Sequence, residues 1–288
     1  MNKWIIGARV KTLPAAISPV LVGTALATEF NWVNALLALI VSLSLQISVN
    51  YANDYSDGIR GTDSNRVGPI RLVGSGLATA KSVKQAMFVS FSVAAIAGLI
   101  LALQTSYWLL LVGAISILAA WGYTGGKKPY GYFGFGEVSV FLFFGVVATV
   151  GSYYIQTQKI SGQSVLLSIP VGALACAILV MNNLRDLPMD AQVGKRTFSV
   201  RIGDKNTRYF YVTLLVLAQV ISAYAYTFNS YALLTLIWLP LTVKNCRLVL
   251  QGVTGKEEKY RNFTKAKVTI RFFATGVTPS SQNRNSAN

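Results

Sequence analysis

Histidine is absent from this chain, only 10 of its 288 residues are acidic, and it has two cysteines. Without histidine there is no imidazole base, no His-ligated zinc and no Ser-His-Asp constellation to look for. Cys176 lies inside an apolar run and Cys246 near the end of another, so buried free thiols are expected rather than a disulfide framework. Charged residues of both signs make up 12% of the chain against 53% hydrophobic, and the mean hydropathy is +0.48. That balance excludes a soluble globular domain and a disordered chain. It describes a protein of the bilayer.

What charge there is, is basic: 26 Lys and Arg give a net +16. In a soluble protein that excess would suggest nucleic acid as a partner. A polytopic membrane protein instead collects Lys and Arg in its cytoplasmic loops. Eight apolar stretches long enough to span a bilayer are read at 13–30, 32–49, 85–103, 107–123, 138–155, 165–184, 209–228 and 231–250. The first has the outline of a signal peptide, but with seven spans behind it, it reads as a retained helix. With the amino terminus, the loops after spans two, four and six, and the carboxyl tail on one side, that side holds 25 of the 26 basic residues once Lys244 and Arg247, at the adjoining end of span eight, are counted with it. Only Lys159 falls opposite. A multi-pass cell-membrane protein with a cytoplasmic amino terminus is expected, without a nucleic-acid partner.

All six Asp residues lie in the two large loops of that basic side, five of them in two short clusters. The first cluster continues span two, with Asn50, Asn53, Asp54 and Asp57 at i, i+3, i+4 and i+7, a spacing that turns all four toward one helix face. The second continues span six, with Asn182, Asp186 and Asp190 spaced by four, although Pro188 is expected to bend or end the helix there. Four spans separate the clusters, so each follows the second helix of a four-helix half. The fold expected is therefore an all-α transmembrane bundle of two pseudo-repeated four-helix halves, with the clusters facing each other across a central cavity. Solvated loop charges would not repeat an Asn-to-Asp pattern in both halves, and ionisable groups at membrane depth are costly. Convergent carboxylates suit Mg²⁺, which keeps open positions for phosphate oxygens. A Mg²⁺-diphosphate site follows.

Cations to meet the diphosphate are available in Arg60, Arg66, Arg71, Lys127, Lys128, Lys195, Arg196 and Arg201, each also explicable as a positive-inside charge. Lys127 and Lys195 stand out because glycines beside them permit close backbone approach. Asn50 and Arg185 flank the carboxylates and join Arg60, Arg66, Arg71 and Arg196 as candidate substrate contacts. Tyr51, Tyr55, Tyr123, Tyr130 and Tyr132 fit an interfacial belt or, near the clusters, a cation–π role toward a developing carbocation.

In these residues the chain resembles the membrane-embedded aromatic prenyltransferases of the UbiA superfamily, marked by two Asp-rich motifs after the second and sixth helices. They stand here as Asn53-Asp54-Tyr-Ser-Asp57 and Asn182-xxx-Asp186-xxx-Asp190. Val67-Gly-Pro-Ile-Arg71, Lys-Pro-Tyr-Gly-Tyr-Phe-Gly-Phe-Gly-Glu137 and Asn-Asn-Leu-Arg-Asp resemble the branch that prenylates 1,4-dihydroxy-2-naphthoate. The resemblance implies transfer of a polyprenyl group from its diphosphate to that aromatic acid with loss of the ring carboxylate, giving demethylmenaquinone. It implies one Mg²⁺ on Asn53, Asp54 and Asp57 and a second on Asn182, Asp186 and Asp190, bridged by the diphosphate. Tyr123 and Lys127 match a tyrosine-to-lysine motif, and with Lys195 they are the implied catalytic residues.

Two features depart from the superfamily. Gly61 stands where a third Asp is usual, with Asp63 two residues on. Members usually have a ninth span, whereas 251–288 is basic and then polar, so the expected organisation is a transmembrane domain at 1–250 and a cytoplasmic tail. Two alternatives remain at this stage: a sibling enzyme acting on another acceptor such as 4-hydroxybenzoate or homogentisate, and a cation-coupled transporter. Spans three, five and seven lack the midplane charges a transporter would use.

Overall fold

A computed structural model describes residues 2–61 and 69–252; Asp63, Arg66 and the tail beyond Gly252 lie outside the described residues. Ten α-helices follow in order: α1 (Lys3–Ala8), α2 (Pro14–Ala25), α3 (Trp32–Ile59), α4 (Ala80–Gln104), α5 (Trp108–Thr124), α6 (Gly136–Val140), α7 (Ala148–Thr157), α8 (Gly162–Gln192), α9 (Phe198–Tyr224) and α10 (Leu239–Leu250). A π-helical stretch, Phe141–Val147, joins α6 to α7 into one span, Gly136–Thr157. Among the described residues, six helices are long and apolar enough to cross a membrane alone. The pair Lys3–Thr12 and Pro14–Ala25, bent by 49°, makes a seventh if it counts as one span, and α5 is a shorter apolar helix, so the described residues give up to seven spans where eight were expected.

Polar N-caps start the long helices where the loops meet the bilayer. The Asn31 side chain accepts from Val33 N at 2.9 Å and Asn34 N at 3.1 Å to open α3. Ser161 and Ser164 form a reciprocal capping box on α8. At 28 and 31 residues, α3 and α8 run well past the expected span ends at 49 and 184. Their lengths of about 42 and 46 Å exceed a hydrocarbon core of about 30 Å, so the acidic motifs ride on the last turns as unbroken helix. Pro188 does not end α8, which continues to Gln192. The first span is shorter than expected: Arg9 adopts a left-handed conformation (φ 51°) that separates α1 from α2, and α2 stops at Ala25.

The halves repeat. In each, the longest helix carries the motif and packs along its successor, α3 on α4 and α8 on α9, while α2 packs on α7 and joins the halves. Ala173, Ala177, Val180, Tyr211, Leu215 and Ala218 form the α8–α9 core. Small residues allow a tight contact between the π-helical stretch and α8: a Cβ on Gly145 would stand 2.6 Å from Gly172 Cα. Gly145→Val should therefore destabilise the bundle by about 1–3 kcal/mol through overpacking, read as a lower unfolding temperature in detergent. An unchanged temperature would show that these helices can separate freely.

Candidate active site

One lysine marks where the two halves meet. Lys195 Nζ lies 3.8 Å from Asp57 Oδ2, on α3, and 3.9 Å from Asp190 Oδ1, on α8, and 4.6 Å from the centre of the Tyr132 ring. Lys195 reaches this place because α8 ends in a turn at Gly194, where Lys195 N donates back to the Asp190 carbonyl at 2.8 Å. Asp57 is 1% exposed and also accepts from Arg71 Nη2 at 3.3 Å and from the Tyr132 hydroxyl. Burial first, and then the Asp57 charge, push the Tyr132 phenol above its usual range, so it stays a neutral donor.

Asn50, Asn53 and Asp57 line the cavity below this junction. The Asn50 amide nitrogen is committed to the Ala8 carbonyl at 2.9 Å and Thr12 Oγ1 at 3.1 Å, which ties the amino-terminal segment to the site. Asn53 Oδ1 accepts from Thr124 Oγ1 at 2.8 Å. Asp54 corrects the expectation that all four polar side chains share a face. It sits about 100° round the helix from Asn53, is fully buried, and does not line the cavity. Its two oxygens accept from Leu72 N at 2.7 Å and Val73 N at 3.0 Å, so they hold the following loop.

The second motif faces the cavity throughout: Asn182, Asp186 and Asp190 all line it. Arg185 Nε and Nη2 each donate to Asp186 at 2.5 Å, and Asn183 donates to Glu137 Oε1 at 2.9 Å. Among the described residues no three acidic or thiol side chains form a ready-made metal cluster. The donor set nevertheless fits a divalent ion. Oxygens from two helices already flank one cationic group, the Lys195 ammonium, at the open end of a cavity.

The cationic residues divide. Arg71, Arg185 and Lys195 line the cavity, as does Tyr123. Lys127 is exposed and outside it, because α5 ends at Thr124 before Gly125 and Gly126; without continuing helix, a residue four positions after Tyr123 does not share its face. Arg60 is also corrected: it donates to the Thr124 carbonyl at 2.7 Å and the Gly126 carbonyl at 2.6 Å, capping α5 instead of facing the cavity. Arg196 is exposed, off the cavity, and offers its carbonyl to Arg201. Arg66 lies outside the described residues.

Missed by the sequence reading as site residues were Tyr132, Asn183, Arg9 and Lys11, all of which line the cavity. Tyr132 was legible as an interfacial aromatic or a ring near a carbocation, not as a hydrogen-bond partner of Asp57, and the two cations only as positive-inside charges. The glycines flanking Tyr132 in Gly131-Tyr132-Phe-Gly134 were the available signal for a shaped turn. The cavity measures about 710 Å³. Beneath its polar mouth it is walled by Val20, Val41, Leu101, Val112, Phe144 and Ile155. Ile155 marks the opposite end of the bundle, where its carbonyl accepts from Asn34 and Gln156 pairs with Asn31.

A charged mouth thus opens on an apolar hollow inside a bundle of repeated helical halves. The chain belongs to the UbiA prenyltransferase family, whose model matches residues 16–266. It is 49% identical over 258 residues to a 1,4-dihydroxy-2-naphthoate octaprenyltransferase of Mycobacterium tuberculosis, covering 88% of each chain. To the Escherichia coli protein of the same name it is 39% identical over 290 residues, covering 95% of this chain and 94% of that one. Its fold is similar to that of a UbiA homologue from Archaeoglobus fulgidus solved with GPP and Mg²⁺, with a TM-score of 0.64 at 12% identity over 96% of this chain and 100% of the other.

Proposed function

We propose that the protein transfers a polyprenyl group from its diphosphate to 1,4-dihydroxy-2-naphthoate. The allylic C–O bond breaks, the diphosphate leaves with the electron pair, and a ring carbon forms the new C–C bond. The ring carboxylate departs as CO₂, leaving the quinol form of demethylmenaquinone. The observation that carries the proposal is the junction of Asp57, Lys195 and Asp190, which unites both motifs at the mouth of an apolar cavity. The relatives named above support the choice of acceptor.

In this mechanism Asn53, Asp57, Asn182, Asp186 and Asp190 would hold two Mg²⁺ ions. When bound, the ions neutralise the departing diphosphate. Lys195, Arg71 and Arg185 donate to phosphate oxygens, with the two arginines suited to bidentate contact. Tyr132 orients Asp57 through its hydroxyl. Tyr123 offers its ring beside the reacting carbon, and the apolar walls keep water from the allylic cation. The mouth, the amino terminus and the motif-bearing loops face the cytoplasm across the cell membrane.

The test is to incubate the purified protein in lipid with a polyprenyl diphosphate, Mg²⁺ and, in turn, dihydroxynaphthoate, 4-hydroxybenzoate and homogentisate. Prenylated naphthoquinol is expected from the first acceptor and is expected to vanish with Asp186→Ala. Product from another acceptor alone would overturn the acceptor assignment, and product from none would overturn the enzyme.

A further inference from the structure

Asp54 belongs to the sequence motif but not to the cavity, and its burial without a cationic partner among its hydrogen bonds calls for a reason. The reason lies in the loop that it holds. From 69 to 78 the chain folds into a turn: the Arg71 carbonyl accepts from Ser75 N at 3.1 Å and Ser75 Oγ at 2.5 Å, and Ala78 N donates to the Leu72 carbonyl at 3.0 Å. Leu72 is fully buried, seated where a Cβ on Gly7 would stand 2.6 Å from its Cδ1. Val73 lies over Gly58 so closely that a Cβ there would come within 2.4 Å of Cγ1. Pro69, Ile70 and Arg71 then line the cavity, with Arg71 donating to Asp57. Asp54 and Asp57 thus act on one loop from successive turns of α3, the first through its backbone and the second through its guanidinium.

We propose that Asp54 is a positioning residue: by fastening the backbone of 72–73 to α3, it sets the Arg71 guanidinium at the mouth to receive the diphosphate. The role assigned to Arg71 rests on the proposed prenyl transfer; the fastening of the loop does not. Replacing one Asp54 oxygen with an NH₂ group, as in D54N, turns a donor toward a backbone N–H and breaks one of the two bonds.

The experiment compares wild type, D54N, R71Q and D54N/R71Q in lipid, with Asp57→Asn as the metal-ligand control. D54N is expected to raise the KM for polyprenyl diphosphate about tenfold, with a smaller fall in kcat and an unchanged Mg²⁺ requirement. The double variant should be no worse than R71Q beyond about twofold, since both substitutions remove the same contact. Hydrogen exchange across 69–78 should run about tenfold faster in D54N. Should D54N fail to accumulate, the same comparisons are made with D54S, which retains an acceptor oxygen.

Losses that multiply in the double variant would overturn the proposal. A Mg²⁺ requirement shifted as far as that of Asp57→Asn would do so too, by making Asp54 a metal ligand. If wild type prenylates no acceptor, the proposed function fails, while the exchange comparison still decides whether Asp54 fastens the loop.

Discussion

Asp57→Asn is expected to lower kcat/KM on the order of a thousandfold, about 4 kcal/mol of transition-state stabilisation, while the protein still purifies as a folded bundle. Asp57 is where three groups converge: Arg71, Tyr132 and Lys195 all address it, and it lines the cavity beside Asn53. The amide keeps the shape of the carboxylate but removes its charge, so it retains a hydrogen bond from Tyr132 and loses the attraction for a divalent ion and for Lys195. Its requirement for Mg²⁺ should rise with the loss of rate. A variant with wild-type activity at ordinary Mg²⁺ would remove Asp57 from the site, and with it the case for opposed acidic motifs.

Lys195→Gln should cost about a hundredfold in kcat/KM, close to 2.7 kcal/mol, mostly as a higher KM for polyprenyl diphosphate. Here the interaction lost is the ammonium that joins the two halves at 3.8 and 3.9 Å. Lys195→Arg should recover only part of the loss, since a planar guanidinium cannot occupy the point between Asp57 and Asp190 as a compact ammonium does. Removing the charge also leaves Asp57 facing Asp190, so Mg²⁺ should stabilise the variant against heat more than it stabilises wild type. Equal kinetics for Lys195→Gln and wild type would reduce the junction to a chance loop contact.

Much of the fold was legible because bilayer physics leaves few options. Runs of apolar residues have to become helices, since no water is present to satisfy an open backbone, and basic loops gather on one side. The Asn-to-Asp spacing suited helix beyond the apolar spans, and α3 and α8 do continue to Ile59 and Gln192, α8 past the Pro188 that was expected to bend or end it. Spacing was less able to say which side of a stripe each residue takes. Asp54 and Asp57 look equivalent in sequence, yet Asp54 faces backbone amides brought by a loop 18 residues away. Likewise, Tyr123 and Lys127 have helical spacing, but two glycines end the helix between them and send the lysine outward. Such outcomes depend on where a chain stops being regular, and periodicity carries little information there.

The amino-acid sequence by itself determined that the chain enters a membrane, that its helices come in two similar sets, and that acid and base collect at matching ends. Local chemistry suffices for these: hydrocarbon transfer, backbone satisfaction and the cost of moving charge across lipid all act on short segments. Only the tertiary structure decided which charged groups share the mouth. Lys195 meets Asp57 across 138 positions of chain, Arg60 turns away to cap a neighbouring helix, and Asp54 is spent on a loop. Long-range packing makes those choices, because a side chain a few ångströms to one side of a helix finds a different partner.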